Sequence, residues 1–213
     1  MIDSTIALIR RRGVHATGLT DLLNHSGSAR QSIYQHFPGG KAELVEQATK
    51  EAGRQMVALL DTFDDNPIDL VDELIAWWEQ ELETSSYTSG CPVVAAALAP
   101  SPAAGRVFAA WEARFTGVLV RAGLDQTSAA SLATFTLSAL EGAIVLSRAA
   151  ASIRPLNDVR KQVTLLLRAQ LPARAPEPPV VRETPTWSPA TKPTPPSYQS
   201  SVDAGSPWNG FRR

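Results

Sequence analysis

Residues 13–41 read GVHATGLTDLLNHSGSARQSIYQHFPGGK, and their pattern decides the fold. Leu19, Leu22 and Leu23 form a short apolar face that ends near Gly27. Ala29, Ile33 and Phe37 form another, stopped by Pro38-Gly39-Gly40. Both follow the spacing of an amphipathic helix. The turn between them is Ser26-Gly27-Ser28, where Gly27 can take the positive φ that a tight turn needs. With Ile33 and Phe37 inward, Arg30, Gln31, Ser32, Tyr34, Gln35 and His36 face out. A short helix with a hydrogen-bonding outer face suits the major groove of DNA. The residues alone leave other readings open. Tyr34 and Phe37 equally suit a core, His36 equally suits a helix C-terminus, and a pair of short helices is a common packing unit.

Outward from this stretch, almost everything reads helical. Ile2, Ile6 and Ile9 share one face of a helix that ends at Gly13. A long helix is expected from Lys41 to about Phe63, and Pro67 suits the first turn of the next, running to about Thr84. After a loop from Ser85 to Gly90, helices are expected near 91–98, 103–122, 126–151 and 155–171. No alternating strand pattern of useful length is present, so the expected fold class is all-α. Ten of the 16 prolines fall at or after Pro172. The expected domains are therefore 1–45, 46–171 and a disordered Pro-rich tail, 172–213. Trp187, Trp208 and Phe211 in that tail are unusual for a spacer.

The net charge is −1 and 44% of residues are hydrophobic. Residues 1–50 carry six basic against four acidic side chains, and residues 51–171 nine against fourteen. A weakly basic head on an acidic body is compatible with DNA binding at one end. One cysteine, Cys91, permits no intrachain disulfide, which fits a reducing compartment. No apolar run approaching a membrane span and no signal peptide are read, so a cytoplasmic protein without a membrane partner is expected. No Cys/His metal spacing, phosphate loop or nucleophile elbow is present. Neither enzyme activity, a metal nor a cofactor is expected. Cys91 reads as a buried small residue, and the run Asp61, Asp64, Asp65, Asp69, Asp72 and Glu73 as a solvated surface.

The residues Gly13, Ala16-Thr17, Leu19, Leu22, Gly27, Arg30, Ser32, Ile33-Tyr34, His36-Phe37 and Lys41 resemble the TetR family of bacterial transcription regulators. The run from Ser26 to Lys41, Gly90-Cys91-Pro92-Val93 and Leu140-Glu141-Gly142-Ala143 are similar to its subgroup of lincomycin-resistance-type repressors. The resemblance spans residues 1 to about 171. It implies a helix-turn-helix in which Thr17 caps the second helix and touches phosphate. It also implies phosphate contacts by Tyr34, His36 and Lys41, with Arg30, Gln31 and Ser32 as candidates for base edges.

In the body, the resemblance implies a dimer through the last two helices. Gly142, Ala143, Leu146, Ala150, Val159, Val163 and Leu166 are the candidate interface; these small and apolar faces equally suit packing within one chain. Trp77, Trp78, Tyr87, Phe108, Trp111 and Phe115 are candidates to line a pocket for a small hydrophobic effector, and equally suit a core. Phe135 belongs to the same run of aromatics. The expected function is a homodimeric repressor released from a palindromic operator by that effector. The alternative is a helical protein-interaction module that has lost specific DNA binding. Gly18 and Leu23 within the helix-turn-helix, a first helix without preceding basic residues, and the aromatics of the tail motivate it.

Overall fold

A computed structural model describes residues 1–63 and 65–172. Asp64 and the expected tail, with Trp187, Trp208 and Phe211, lie outside the described residues. Residues Met1–Arg174 form one unit. Its helices run in chain order α1 (Ile2–Arg12), α2 (Leu19–Ser26), α3 (Arg30–His36), α4 (Gly40–Leu60), α5 (Pro67–Thr84), α6 (Pro92–Ala97), α7 (Pro102–Arg121), α8 (Gln126–Ala150) and α9 (Arg154–Gln170). There is no strand among the described residues. The expected boundaries agree within a few residues.

Local chemistry sets the ends. Gly13 and Gly27 close α1 and α2 with φ of 77° and 65°, a region that side chains with Cβ avoid. Asn66 caps α5, its Oδ1 accepting from the Ile68 and Asp69 amides at 2.9 and 3.4 Å. Asp125 caps α8 the same way, at 3.0 and 3.1 Å. Pro67, Pro92, Pro102 and Pro155 occupy first turns, where the missing amide proton costs nothing.

Leu8, Leu22 and Leu44 form the core under α1, α2 and the start of α4, with Leu19 and Phe37 against it. Ile33 is fully buried and anchors α3. The larger core joins Ile75, Trp78, Leu82, Val93, Leu119, Leu140, Ile144, Leu156 and Leu167. Helices α4 and α7 pack closely because Gly53 has no side chain: a Cβ there would stand 2.7 Å from both Val107 methyls.

Three members of the acidic run, Asp61, Asp65 and Asp72, are paired with arginines at the surface. Asp61 and Asp65 meet Arg114 at 3.2 and 3.1 Å, Arg121 meets Asp65 at 3.1 Å, and Arg160 approaches Asp72 at 3.7 Å. The expectation that no apolar run approaches a membrane span is corrected by α8. Its 25 residues, with mean hydropathy 1.6 in the most apolar window, are long and apolar enough by length and composition. One side of α8 packs against α7 and α9, and the other carries an exposed apolar stripe.

Leu22→Ala is expected to destabilise the protein by about 2–5 kcal/mol, because it opens a cavity in the small N-terminal core. Leu98→Ala, at a position 78% exposed, should stay within about 0.5 kcal/mol. Urea unfolding of both variants checks the contrast.

Candidate functional site

Two pins hold α3 to the head. Ile33 is buried and Phe37 is half-buried, while Arg30, Gln31, Tyr34, Gln35 and His36 are exposed. Ser32 is half-buried. Tyr34, half-exposed, leans toward Gly40, where an added Cβ would meet its ring carbon at 3.6 Å. Lys41 reaches back across the head and donates from Nζ to the Val14 carbonyl at 2.8 Å. It thereby ties the start of α4 to the segment ahead of α2.

Thr17 is a correction. It does not cap α2. Its side chain is buried and its hydroxyl donates to the Gly13 carbonyl at 2.7 Å. The N-cap is the next residue, Gly18. The cap chemistry there is reversed, with the Asp21 carboxylate accepting from the Gly18 amide at 2.9 Å. Thr17 thus holds the α1–α2 turn together, and its hydroxyl is not presented to a phosphate.

Behind the head lies an apolar cavity of about 50 Å³. Helices α4, α5, α7, α8 and α9 enclose it, and Trp78, Trp111 and Phe115 form much of its wall. Of the six aromatic candidates these three line it, and the other three do not. Trp77 stacks edge-on against Trp78, centroids 4.9 Å apart, and borders a separate cleft. Adjacent residues on a helix point about 100° apart, so only one of the pair could face the cavity. Phe108 packs edge-on to Trp111 at 5.5 Å as a supporting layer. Tyr87 sits in the α5–α6 turn at φ 59°, packed on the core from outside the cavity.

The cavity holds a group that the sequence reading did not select. Glu141, on α8, contributes the lining's one carboxyl. Its Oε2 is sealed from solvent and accepts no hydrogen bond, and the Thr136 hydroxyl on the same lining is likewise unpartnered. Burial raises the Glu141 carboxyl from its ordinary 4.5 to about 7, opposed only by the Cys91 thiol, which donates toward it. Burial and that carboxyl push the Cys91 thiol well up in turn. Cys91 is therefore a poor nucleophile. A lone acid in the middle of an otherwise apolar helix was the signal available in the sequence: α8 carries only Glu141 and Arg148 as charges.

Cys91 follows Gly90, where head and body join. The Gly90 amide donates to the Arg10 carbonyl at 3.0 Å, and Arg10 Nε donates back to the Gly90 carbonyl at 3.0 Å. Arg10 also pairs with Glu81 of α5 at 2.7 Å. Arg148 of α8 adds bonds to the Arg11 and Thr88 carbonyls at 3.2 and 2.9 Å. A Cβ on Gly90 would stand 2.7 Å from Arg148 Nη1, so a side chain there would push the Arg148 guanidinium aside. The C-terminus of α1 is thereby fastened to α5, to the start of α6 and to α8.

The candidate interface residues divide. Gly142, Leu146 and Ala150 lie on the outer side of α8. Ala143 and Val163 are buried in the chain's own core and are corrected to internal packing; Val159 is half-buried and lines the cavity. Leu166 is half-buried, beside Phe135 in a shallow groove. Phe135, Val145 and Leu165, 48, 51 and 53% exposed, extend the outer stripe. They had not been named for that role.

A helix-turn-helix fastened to a separate helical body is the build of a DNA-binding transcription regulator. Residues 1–48 match the model of bacterial regulatory proteins of the tetR family. Residues 67–162 match that of the LmrA/YxaF-like transcriptional regulator C-terminal domain. An HTH-type transcriptional regulator of Mycobacterium tuberculosis is 35% identical, over 82% of this chain and 96% of its own length. The HTH-type regulator YxaF of Bacillus subtilis is 30% identical, over 79% and 93%. The regulatory protein TetR of Rhodobacter sphaeroides has the same fold, with TM-score 0.70, 18% identity, and 77% of this chain and 95% of its own covered. The chain belongs to the TetR family of DNA-binding transcription regulators.

Glu141 makes stability depend on pH with a definite sign. Its folded-state value is above its unfolded one, so between pH 4.5 and about 7 the folded state holds a proton that the unfolded state has lost. Stability therefore falls as pH rises through that window, by about 3 kcal/mol for this group. Glu141→Gln is expected to be more stable than the parent chain at pH 8, with the difference vanishing near pH 4.5. Thermal melts of both proteins across that range check it.

Proposed function

We propose that this regulator is a cytoplasmic homodimeric repressor, that α3 reads an operator, and that an apolar effector held in the body releases it. The observation that carries the coupling is the junction at Gly90, where Arg10 pairs with Glu81 of α5 and Arg148 of α8 bonds to the head, α5 and α8 both lining the cavity and α6 starting beside them. A change in the body that moves α6 or α8 has a direct route to α1.

On this reading Arg30 and Gln31 face base edges, Arg gripping guanine and Gln adenine through paired hydrogen bonds, with Ser32 beside them. Tyr34, His36 and Lys41 face phosphates and set the register. The exposed stripe of Phe135, Gly142, Val145, Leu146 and Leu165 supports pairing of two copies through α8 and α9, since an apolar face of this extent is unfavourable in water. A twofold pair would place its α3 helices about 34–36 Å apart, or a multiple of it, to meet a palindrome.

The cavity size supports release rather than recruitment. Small-molecule pockets are typically about 300–1,000 Å³, several times the space present. An effector of that size must open the body, and so binds another conformation better than this one. Only such a difference can shift the equilibrium. Driving the switch from mostly bound to mostly released takes roughly 10⁴-fold differential affinity, about 5.5 kcal/mol.

Anisotropy titration against the DNA upstream of the chain's own gene, at two salt concentrations with competitor present, tests the reading. Tight selective binding that weakens with salt is expected. Arg30→Ala should cost about 1–3 kcal/mol and relax selectivity. The absence of any selective, salt-dependent binding would support the interaction-module alternative. Leu146→Glu should convert a dimer to a monomer in analytical ultracentrifugation and weaken operator binding, while far-UV circular dichroism shows the parent chain's helical content. An unchanged dimer would remove this stripe from the interface.

A further inference from the structure

The cavity is lined by a half-buried acid, Glu141, with one oxygen sealed from solvent and no cation among the other lining residues. From α4, α5, α7 and α9 the wall presents apolar side chains, including Trp111, Phe115 and Val163. From α6 the only titratable group is the Cys91 thiol. The cations of Arg11, Arg12 and Arg148 border a second cleft that Glu141 also lines and do not line the cavity. Glu141 thus forms part of the partition between the two, with Oε2 sealed and unpartnered. A buried carboxyl left unpaired is costly, and a protein retains such a group when something else supplies the partner.

We propose that the partner is the effector itself: a lipophilic amine whose apolar body fills the cavity and whose protonated nitrogen donates to Glu141, with Thr136 beside it as a neutral hydrogen-bonding group. This rests on the reading of the body as an effector site and adds the ligand's chemical class. Binding is linked to a proton. Below pH 7 Glu141 holds a proton, and taking up an ammonium ion releases it, leaving a carboxylate–ammonium pair. Above pH 7 the carboxylate is ready-made. An amine stays protonated throughout, since its own pKa is near 10. The same carboxyl interacts with the Cys91 thiol, which follows Gly90 in the head–body junction, so the occupant of the cavity bears on the element that holds α1.

The test uses the full chain and isothermal titration with 4-phenylbutylamine and its neutral counterpart 4-phenylbutan-1-ol, at pH 6, 7 and 8. The amine is expected to bind at least about tenfold tighter than the alcohol at pH 8, as charge-assisted hydrogen bonds in dry sites do. Its affinity should rise about tenfold from pH 6 to pH 8, following the ionised fraction of a group titrating at about 7. Glu141→Gln should abolish both the preference and the pH dependence while leaving the alcohol's affinity within about twofold, as a lost charge without lost packing would. Glu141→Met, checked for folding by thermal melt, should do the same. Equal binding of the two probes, a preference that survives Glu141→Gln, or no amine binding at millimolar concentration each overturns the proposal. Operator titration of the same samples separates the two ideas. Selective DNA binding without an amine preference removes only the ligand class, and an amine preference without DNA binding removes only the repressor.

Discussion

The reciprocal pair between Arg10 and Gly90 is the constraint on which the rest of the structure depends. The helices that present α3 have a core of a few leucines and one isoleucine. That core holds α1, α2 and α3 together but does not by itself fix them to the body. Ile6 of α1 packs into the body's core, and α4 runs from Leu44 in the head core to Ala48 and Ala52 in the body core; hydrogen bonds running both ways between α1 and the start of α6, with the Arg10–Glu81 pair and Arg148 around them, add the directional fixing. Partly buried charge-assisted bonds of this kind are stronger than exposed ones. They are also directional, so they set orientation as well as attachment. Glycine at position 90 is a condition of the arrangement, because a side chain there would displace the Arg148 guanidinium.

The body solves a different problem. Its helices bury aromatic residues against one another, yet they leave a small gap lined by Trp78, Trp111 and Phe115 and a carboxyl facing apolar surroundings. Both features lower stability. A void forfeits dispersion contacts, and a buried acid must either shed its charge or find a partner. Such local deficits are what a protein must retain if its body is to favour a second arrangement when something fills the gap. A perfectly packed, fully satisfied body would have no alternative conformation within a few kcal/mol, and occupancy of its interior could not be felt at α3.

Much of this was legible in the sequence, for physical reasons. Helix ends followed glycines at positive φ, prolines in first turns and Asn or Asp caps, all of which act locally. The outward face of α3 followed from Ile33 and Phe37, whose spacing leaves one choice of inward direction. The failures come where a local rule has two solutions. Thr17 and Gly18 are adjacent candidates for one cap, and the threonine is taken by the Gly13 carbonyl. In α8, apolar residues occupy every side, so periodicity cannot say which face meets the core. Ala143 is therefore read outward when it points in, and Phe135 and Val145 are missed; on α9, whose apolar side chains meet both the core and solvent, Val163 is read outward and Leu165 is missed. Glu141 carries a family resemblance in the sequence, but its chemistry depends on burial and on Cys91, fifty residues away in the chain.

The central claim is that the reading head and the cavity are coupled through the Gly90 junction. Coupling between two sites is reciprocal, so it can be tested from the DNA side alone. The measurement is amide hydrogen exchange of the full chain, free and saturated with its operator. The account predicts changed protection in α2 and α3 and also in residues 88–97 and around Glu141 in α8, far from any base pair. Changes confined to residues 17–41, with α6 and α8 exchanging as in the free protein, would contradict it.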